Sequence, residues 1–186
     1  PEGSGYKVNV AQEFLSVKLS DGRILKVNFD SNNLNESDSN EIFDENCMCW
    51  FSIASRPLKG VVSKLILLSD GKVLAIGGST FVRPDDSMGY EMPHRFAQVY
   101  DPDKNNWEKI PLPIYSTQYV SLVLLNNGQV LIYPRSFWND ECWDTDSRLQ
   151  MKIDNTEGEK CYNLTNRILV YDPDTNSIYE TNPRGR

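Results

Sequence analysis

The sequence has a single histidine, His94, and only four cysteines, Cys47, Cys49, Cys142 and Cys161. One imidazole leaves a Cys/His zinc site poorly supplied, and four cysteines in 186 residues do not make a disulfide-dense scaffold. No stretch approaches the run of about eighteen apolar residues that a membrane-spanning helix needs. The opening, Pro-Glu-Gly-Ser-Gly, has neither the basic start nor the apolar run of a secretory signal. Positive charge is also short: 19 Lys and Arg against 26 Asp and Glu give a net charge of −7, and the basic residues form no run. Nucleic acid and anionic membrane are therefore not expected as partners, since both call for clustered positive charge. Gly-x-Ser-x-Gly, His-Glu-x-x-His and a phosphate loop are all missing. The acids Asp85-Asp86 and Asp144-Thr145-Asp146 lack the spacing of a defined calcium loop and read as solvated loop. No catalytic residue, metal or cofactor is expected from this chain, and no segment carries the period of an amphipathic helix.

What the chain does have is repetition. Phe14 to Phe29 (FLSVKLSDGRILKVNF), Val62 to Gly78 (VSKLILLSDGKVLAIGG) and Tyr119 to Arg135 (YVSLVLLNNGQVLIYPR) share one pattern. Each is an apolar run, a turn at Asp21-Gly22, Asp70-Gly71 or Asn127-Gly128, and a second apolar run. Asp-Gly and Asn-Gly between apolar runs signal a hairpin, and the expected two-residue turn takes positive φ at both residues. A second segment follows each hairpin: IFDENCMCWF, VYDPDKNNWE and VYDPDTNSIY. In each, an aromatic precedes an Asp and a large apolar residue stands seven positions on. The pairs are Phe43 with Trp50, Tyr100 with Trp107 and Tyr171 with Ile178. The Asp, Pro and Asn between them are turn chemistry, so this segment is a second hairpin. Two hairpins give four strands per unit, and units of this length with four short strands are propeller blades. Strands are expected near 14–20, 23–29, 62–69, 72–77, 96–101, 106–110, 119–125, 129–134, 167–171 and 177–181.

The repeat resembles the kelch motif, a Gly-Gly doublet after the second strand, then a Tyr, then a Trp seven positions later. The second unit has all three, Gly77-Gly78, Tyr100 and Trp107. The first has Val27-Asn28 and Phe43 instead, and the third has Tyr133-Pro134 and Ile178. The resemblance implies an all-β chain: a kelch-type β-propeller with about three four-stranded blades, a fragment of a larger ring. The expected division is an N-terminal segment 1–13, blades at 14–58, 59–113 and 114–181, and a tail 182–186. Tyr6 to Val10 alternates like a strand of a preceding blade. Trp50, Tyr100 and Trp107 are expected to fill the wedges between sheets. Three blades cannot close a ring, so further blades are expected from the same or another chain.

Function in such folds lives on loops. The connections between the second and third strands run over about 31–40, 79–94 and 136–166. All occupy the same place in the repeat and leave the same face. The candidate binding residues are Phe81, Arg83 and Tyr90 in the second connection and Phe137, Trp138 and Trp143 in the third. Aromatics rimmed by acids suit a protein interface; packing of the loop onto its own blade is the equal alternative. His94 reads as structural. Cys142 and Cys161 bracket the longest connection, where a disulfide clasp helps most. A Cys47–Cys49 bridge is expected to be strained, with one residue between the cysteines. The clasp tilts the compartment toward an oxidising, extracellular one; Asn35-Glu-Ser and Asn163-Leu-Thr match the glycosylation signal no more often than chance allows. The leading functional reading is a protein-binding scaffold. The other is a secreted carbohydrate-active or carbohydrate-binding propeller similar to galactose oxidase. The copper site of that family needs two histidines, which this chain lacks.

Overall fold

The computed structural model describes residues 13–29, 40–82, 90–113, 120–134, 137–138, 162–163 and 168–181. The first sheet holds β1 (Glu13–Lys18), β2 (Ile24–Phe29), β3 (Asn40–Asp44) and β4 (Cys49–Ser52). Next come β5 (Lys64–Leu67) and β6 (Val73–Ile76), then an inserted hairpin of β7 (Ser79–Val82) and β8 (Tyr90–Pro93). β9 (Phe96–Asp101) and β10 (Asn106–Pro111) complete the second sheet, in the order β5-β6-β9-β10. β11 (Val120–Leu124) and β12 (Val130–Pro134) are followed by a short hairpin of β13 (Phe137–Trp138) and β14 (Tyr162–Asn163). β15 (Ile168–Asp172) and β16 (Ser177–Thr181) complete the third sheet, β11-β12-β15-β16. Every pairing is antiparallel between neighbours, and the described residues contain no helix. These are three blades of a partial β-propeller. The expected Tyr6 to Val10 strand lies outside the described residues.

The first turn of each blade differs from the expected two-residue type. Only Gly22, Gly71 and Gly128 have positive φ (+93°, +85° and +84°); the Asp or Asn before them does not. Leu19 N–H donates to Arg23 O at 2.8 Å, and Gly22 N–H donates to Leu19 O at 3.1 Å. The loop is thus Ser20-Asp21-Gly22, with glycine in the left-handed position that closes the strands. Asp21, Asp70 and Asn127 each accept the backbone N–H two residues on, at 3.0, 3.2 and 3.1 Å. An Asx side chain that satisfies the turn backbone makes the left-handed residue before glycine unnecessary.

The turn between third and fourth strands has its own signature. Asp44, Asp101 and Asp172 accept the N–H of Asn46, Asp103 and Asp174 at 2.8, 3.1 and 3.0 Å. Five residues after the aromatic, Met48, Asn105 and Asn176 sit at φ of +53°, +47° and +48°. Asparagine tolerates that backbone readily; methionine adopts it rarely. Tyr100 O–H donates to Asn105 Oδ1, and Tyr171 O–H to Asn176 Oδ1, each at 3.1 Å. Burial raises the pKa of both phenols, that of Tyr171 to about 12, so both remain donors at any physiological pH.

Two apolar clusters fill the spaces between blades. One joins Leu19, Leu25, Val27 and Ile42 of the first blade to Val73, Ala75, Tyr100 and Trp107 of the second. The other joins Leu74, Ile76, Val99 and Ile110 to Val130, Ile132, Leu169 and Tyr171 of the third. Alternation along β6 sends Val73 and Ala75 one way and Leu74 and Ile76 the other, so all four are buried. The innermost strand β5 lies beside both β1 and β11, which places the second blade between the others. The second blade turns Tyr100 and Trp107, and the third Tyr171 and Ile178, toward the blade before it.

Trp50 accordingly has no described blade to pack against. It pairs with Phe43 on the side of the first blade facing away from the second, and is 49% exposed. Lys26 covers it, with Nζ 5.0 Å from the Trp50 ring, 5.4 Å from Phe14 and 3.5 Å from Glu41. At the far end the row Val123, Leu131, Val170 and Tyr179 crosses all four strands of the third blade. Its counterpart in the second blade, Ile66-Leu74-Val99, is packed against the third. Val123 and Tyr179 are exposed. Apolar rows of this size drive association. The chain expressed by itself is expected to sediment as dimers or larger species at micromolar concentration; a compact monomer throughout would contradict the reading of these faces as packing surfaces.

Candidate binding face

The ends of the second strands are where the blades carry their insertions. In the second blade the strand breaks at Gly77-Gly78, with φ of +81° and +91°. A Cβ on Gly78 would run into the carbonyl of Val61, so the doublet is needed for the link from the first blade to pass. Val61 N–H donates to Ser79 O at 2.9 Å, and His94 N–H to Gly78 O at 3.2 Å. These bonds tie the base of the β7–β8 hairpin to the link. Within the hairpin Phe81 pairs with Glu91 and Val82 with Tyr90. In the third blade Phe137 pairs with Asn163 and Trp138 with Tyr162. Stretches expected as loops thus hold paired strands, because each connection folds back on itself and satisfies its own backbone.

Below the β7–β8 hairpin lies a buried polar node that no sequence motif pointed to. Arg56 Nε donates to Asn40 Oδ1 at 3.3 Å, and Arg56 Nη2 to Gly60 O at 3.0 Å. Leu58 N–H donates to Gln98 Oε1 at 3.1 Å. His94 Nε2 lies 3.2 Å from Lys59 O, which as an acceptor fixes the proton on that nitrogen. His94 is 5% exposed, and its pKa falls to about 4, first from burial and then from the nearby Arg56 guanidinium. The imidazole is a neutral structural donor, as the sequence led us to expect. The available signal was two polar residues at inward strand positions: Asn40 two before Ile42, and Gln98 two before Tyr100.

The opposite face carries the Asp-rich turns and a groove of about 350 Å³ lined by Asp21, Asp70, Asp101 and Asp103. Three of these four acids are engaged within their own turns: Asp21 with Arg23 at 2.6 Å, Asp70 with Lys72 at 2.8 Å and Asp101 with Lys104 at 3.1 Å. The hydrogen bond from Arg23 holds the Asp21 carboxyl below its ordinary range. Among the described residues no three His, Cys, Asp or Glu side chains gather as metal ligands.

Of the sequence-predicted binding residues, Phe81 and Tyr90 occupy one hairpin, and Phe137 and Trp138 another. Arg83, Trp143, Cys142 and Cys161 lie outside the described residues, so the clasp between those two cysteines does too. Cys47 and Cys49, whose bridge is expected from the sequence to be strained and ranks there behind the Cys142–Cys161 clasp, are joined as a disulfide with Cα atoms 5.2 Å apart. The left-handed backbone of Met48 folds the chain back on itself and brings the two side chains together.

The sequence matches no family model and no curated protein. In fold the chain is similar to YjhT, a kelch-type β-propeller, with a TM-score of 0.59 at 13% identity. The match covers 93% of this chain and 52% of that one, so the chain spans about half its length. A copper-bound fungal alcohol oxidase of the AA5 family also aligns, over 92% of this chain and 53% of that one. Its identity is 12% and its TM-score 0.36, too low to carry an argument. The likeness shows the propeller fold alone.

Proposed function

We propose that the chain is part of a kelch-type propeller that serves as a scaffold, binding a protein partner through the face built by the second-to-third-strand connections. The observation that carries this reading is the pair of hairpins at equivalent points of two adjacent blades, each bringing aromatic residues into one strand pair. Backbone pairing at positions 81, 90, 137 and 138 leaves less of the chain to order on binding. The net charge of −7 suits a partner with a basic surface. The blade limits of 14–58, 59–113 and 114–181, and further blades from the same or another chain, belong to the same proposal. An extracellular location goes with it only as far as the Cys142–Cys161 clasp does.

The test is site-specific photocrosslinking of the full-length protein in its own cells. A photoreactive residue at Phe81 or at Trp138 is expected to trap the same protein, while one at Ser20 on the opposite face traps none. Replacing Phe137 and Trp138 together by alanine is expected to cut the yield at Phe81 roughly tenfold or more, as loss of aromatic anchors does. Equal capture from both faces would sink the reading. Tryptophan fluorescence quenched by an oligosaccharide, and no longer quenched in Trp138→Ala, would transfer the face to carbohydrate binding.

A further inference from the structure

The blades brace the turn between their third and fourth strands in two different ways. In the second and third blades a buried tyrosine donates to an asparagine in left-handed backbone five residues on: Tyr100 to Asn105 and Tyr171 to Asn176, each at 3.1 Å. The first blade has Phe43 and Met48 at those positions, so neither the hydroxyl nor the amide is there. Met48 still takes φ of +53°, a conformation methionine adopts only when its surroundings impose it. The Cys47–Cys49 disulfide spans that residue and no other. Met48 is 75% exposed and Cys47 is exposed too, so the bridge is open to solvent. Cys49 opens β4 opposite Asp44, and the next pair is Phe43 with Trp50, their ring centroids 5.0 Å apart.

We propose that Cys47–Cys49 is a thiol–disulfide exchange site whose substrate is a dithiol reductant, and that the bridge does for the first blade what the Tyr–Asn bond does for the others. A thiolate of the dithiol attacks the exposed Cys47 sulfur, forming a mixed disulfide and releasing Cys49 as a thiolate that takes up a proton. The second thiol of the reductant, as thiolate, then attacks its own half of the mixed disulfide and releases Cys47, which is protonated in turn. Two electrons pass to the protein, and the reductant leaves as a cyclic disulfide. The covalent brace across Met48 is then gone, the Asp44 side chain on Asn46 N–H still ties the turn, and the turn that sets the Phe43–Trp50 pair opens more readily.

Hydrogen exchange read by mass spectrometry tests this on the intact chain, with dithiothreitol as the dithiol and differential alkylation reporting each cysteine. On reduction, the peptide covering 44–51 is expected to exchange roughly tenfold faster, the factor that a brace as strong as one hydrogen bond sets. The equivalent peptides 101–108 and 172–179 stay unchanged as internal controls. In the double variant Phe43→Tyr/Met48→Asn, which restores the hydrogen-bonded brace, exchange over 44–51 becomes insensitive to reduction. Finding Cys47 and Cys49 both free in air-oxidised protein overturns the proposal. So does unchanged exchange over 44–51 once alkylation shows both reduced. Should the double variant fail to fold, Cys47→Ser/Cys49→Ser decides: it must exchange over 44–51 like the reduced protein, and protection equal to the oxidised form refutes the brace.

Discussion

Trp107→Ala is expected to lower the unfolding free energy by about 3–5 kcal/mol, the range for deleting a large buried aromatic. Trp107 is 6% exposed and stacks on Tyr100 with ring centroids 4.9 Å apart. Its indole Nε1 donates to Ala54 O at 3.0 Å, reaching from the second blade to the exit of the first. Asn105 Oδ1 accepts the N–H of the same Ala54 at 2.9 Å, so one residue of the first blade is gripped from both sides of its backbone. Alanine at 107 would leave a cavity between the blades and a carbonyl without its donor. Trp107→Phe should retain most of the packing and forfeit about 1 kcal/mol for the lost hydrogen bond. Trp50→Ala is the informative contrast. It changes the same residue at the same place in the repeat, yet Trp50 is 49% exposed, and its loss should cost under about 1 kcal/mol. Urea titrations at one fixed protein concentration would check all three. An unchanged midpoint for Trp107→Ala, or equal losses at the two tryptophans, would mean that the blades do not pack in this order.

That contrast marks the border of what the sequence could reveal. The hairpins were legible because strand alternation and turn residues are local: Leu25 and Val27 against Lys26, or Asp70 beside Gly71, announce themselves within a few positions. The spacing of seven between Tyr100 and Trp107 was legible for the same reason, since it spans one tight turn and pairs the two across it. Exposure of Trp50 was not legible, because it depends on which blade stands next to it. The turn geometry was misjudged where two solutions share one sequence: Asp-Gly serves a two-residue turn or the Ser-Asp-Gly loop found here, and the Asp21 side chain on Arg23 N–H decides it. The node of Arg56, Asn40, Gln98 and His94 draws on segments up to about sixty residues apart, and a contact of that range leaves no periodic trace. Of the binding face, the position in the repeat could be read. The folding of the second-blade stretch into a hairpin went unread, although Pro84, Asp85, Asp86 and Gly89 between Val82 and Tyr90 are turn residues.

Acid is expected to weaken the fold through His94. Burial first, and the Arg56 guanidinium second, bring its pKa from 6.5 to about 4 in the folded state, so folding favours the neutral ring. The unfolded chain therefore binds more protons than the folded one between those two values. Stability from this group is complete above the unfolded value and is lost as pH falls from about 6.5 toward 4. The gap between 6.5 and about 4 corresponds to at most roughly 3 kcal/mol. Asp21 acts in a separate range: its hydrogen bond with Arg23 holds its pKa below 3.8, so its contribution is intact above that pH and goes only in stronger acid. The chain has one histidine, which makes the assignment testable with a single change. His94→Gln keeps a donor within reach of the Lys59 carbonyl but cannot titrate. Whatever it costs at neutral pH, its urea midpoint should fall less between pH 6.5 and 4 than the wild type's. Parallel slopes would remove His94 as the cause. Divergent slopes would show that charging this buried ring, held against the Lys59 carbonyl, is what weakens the fold.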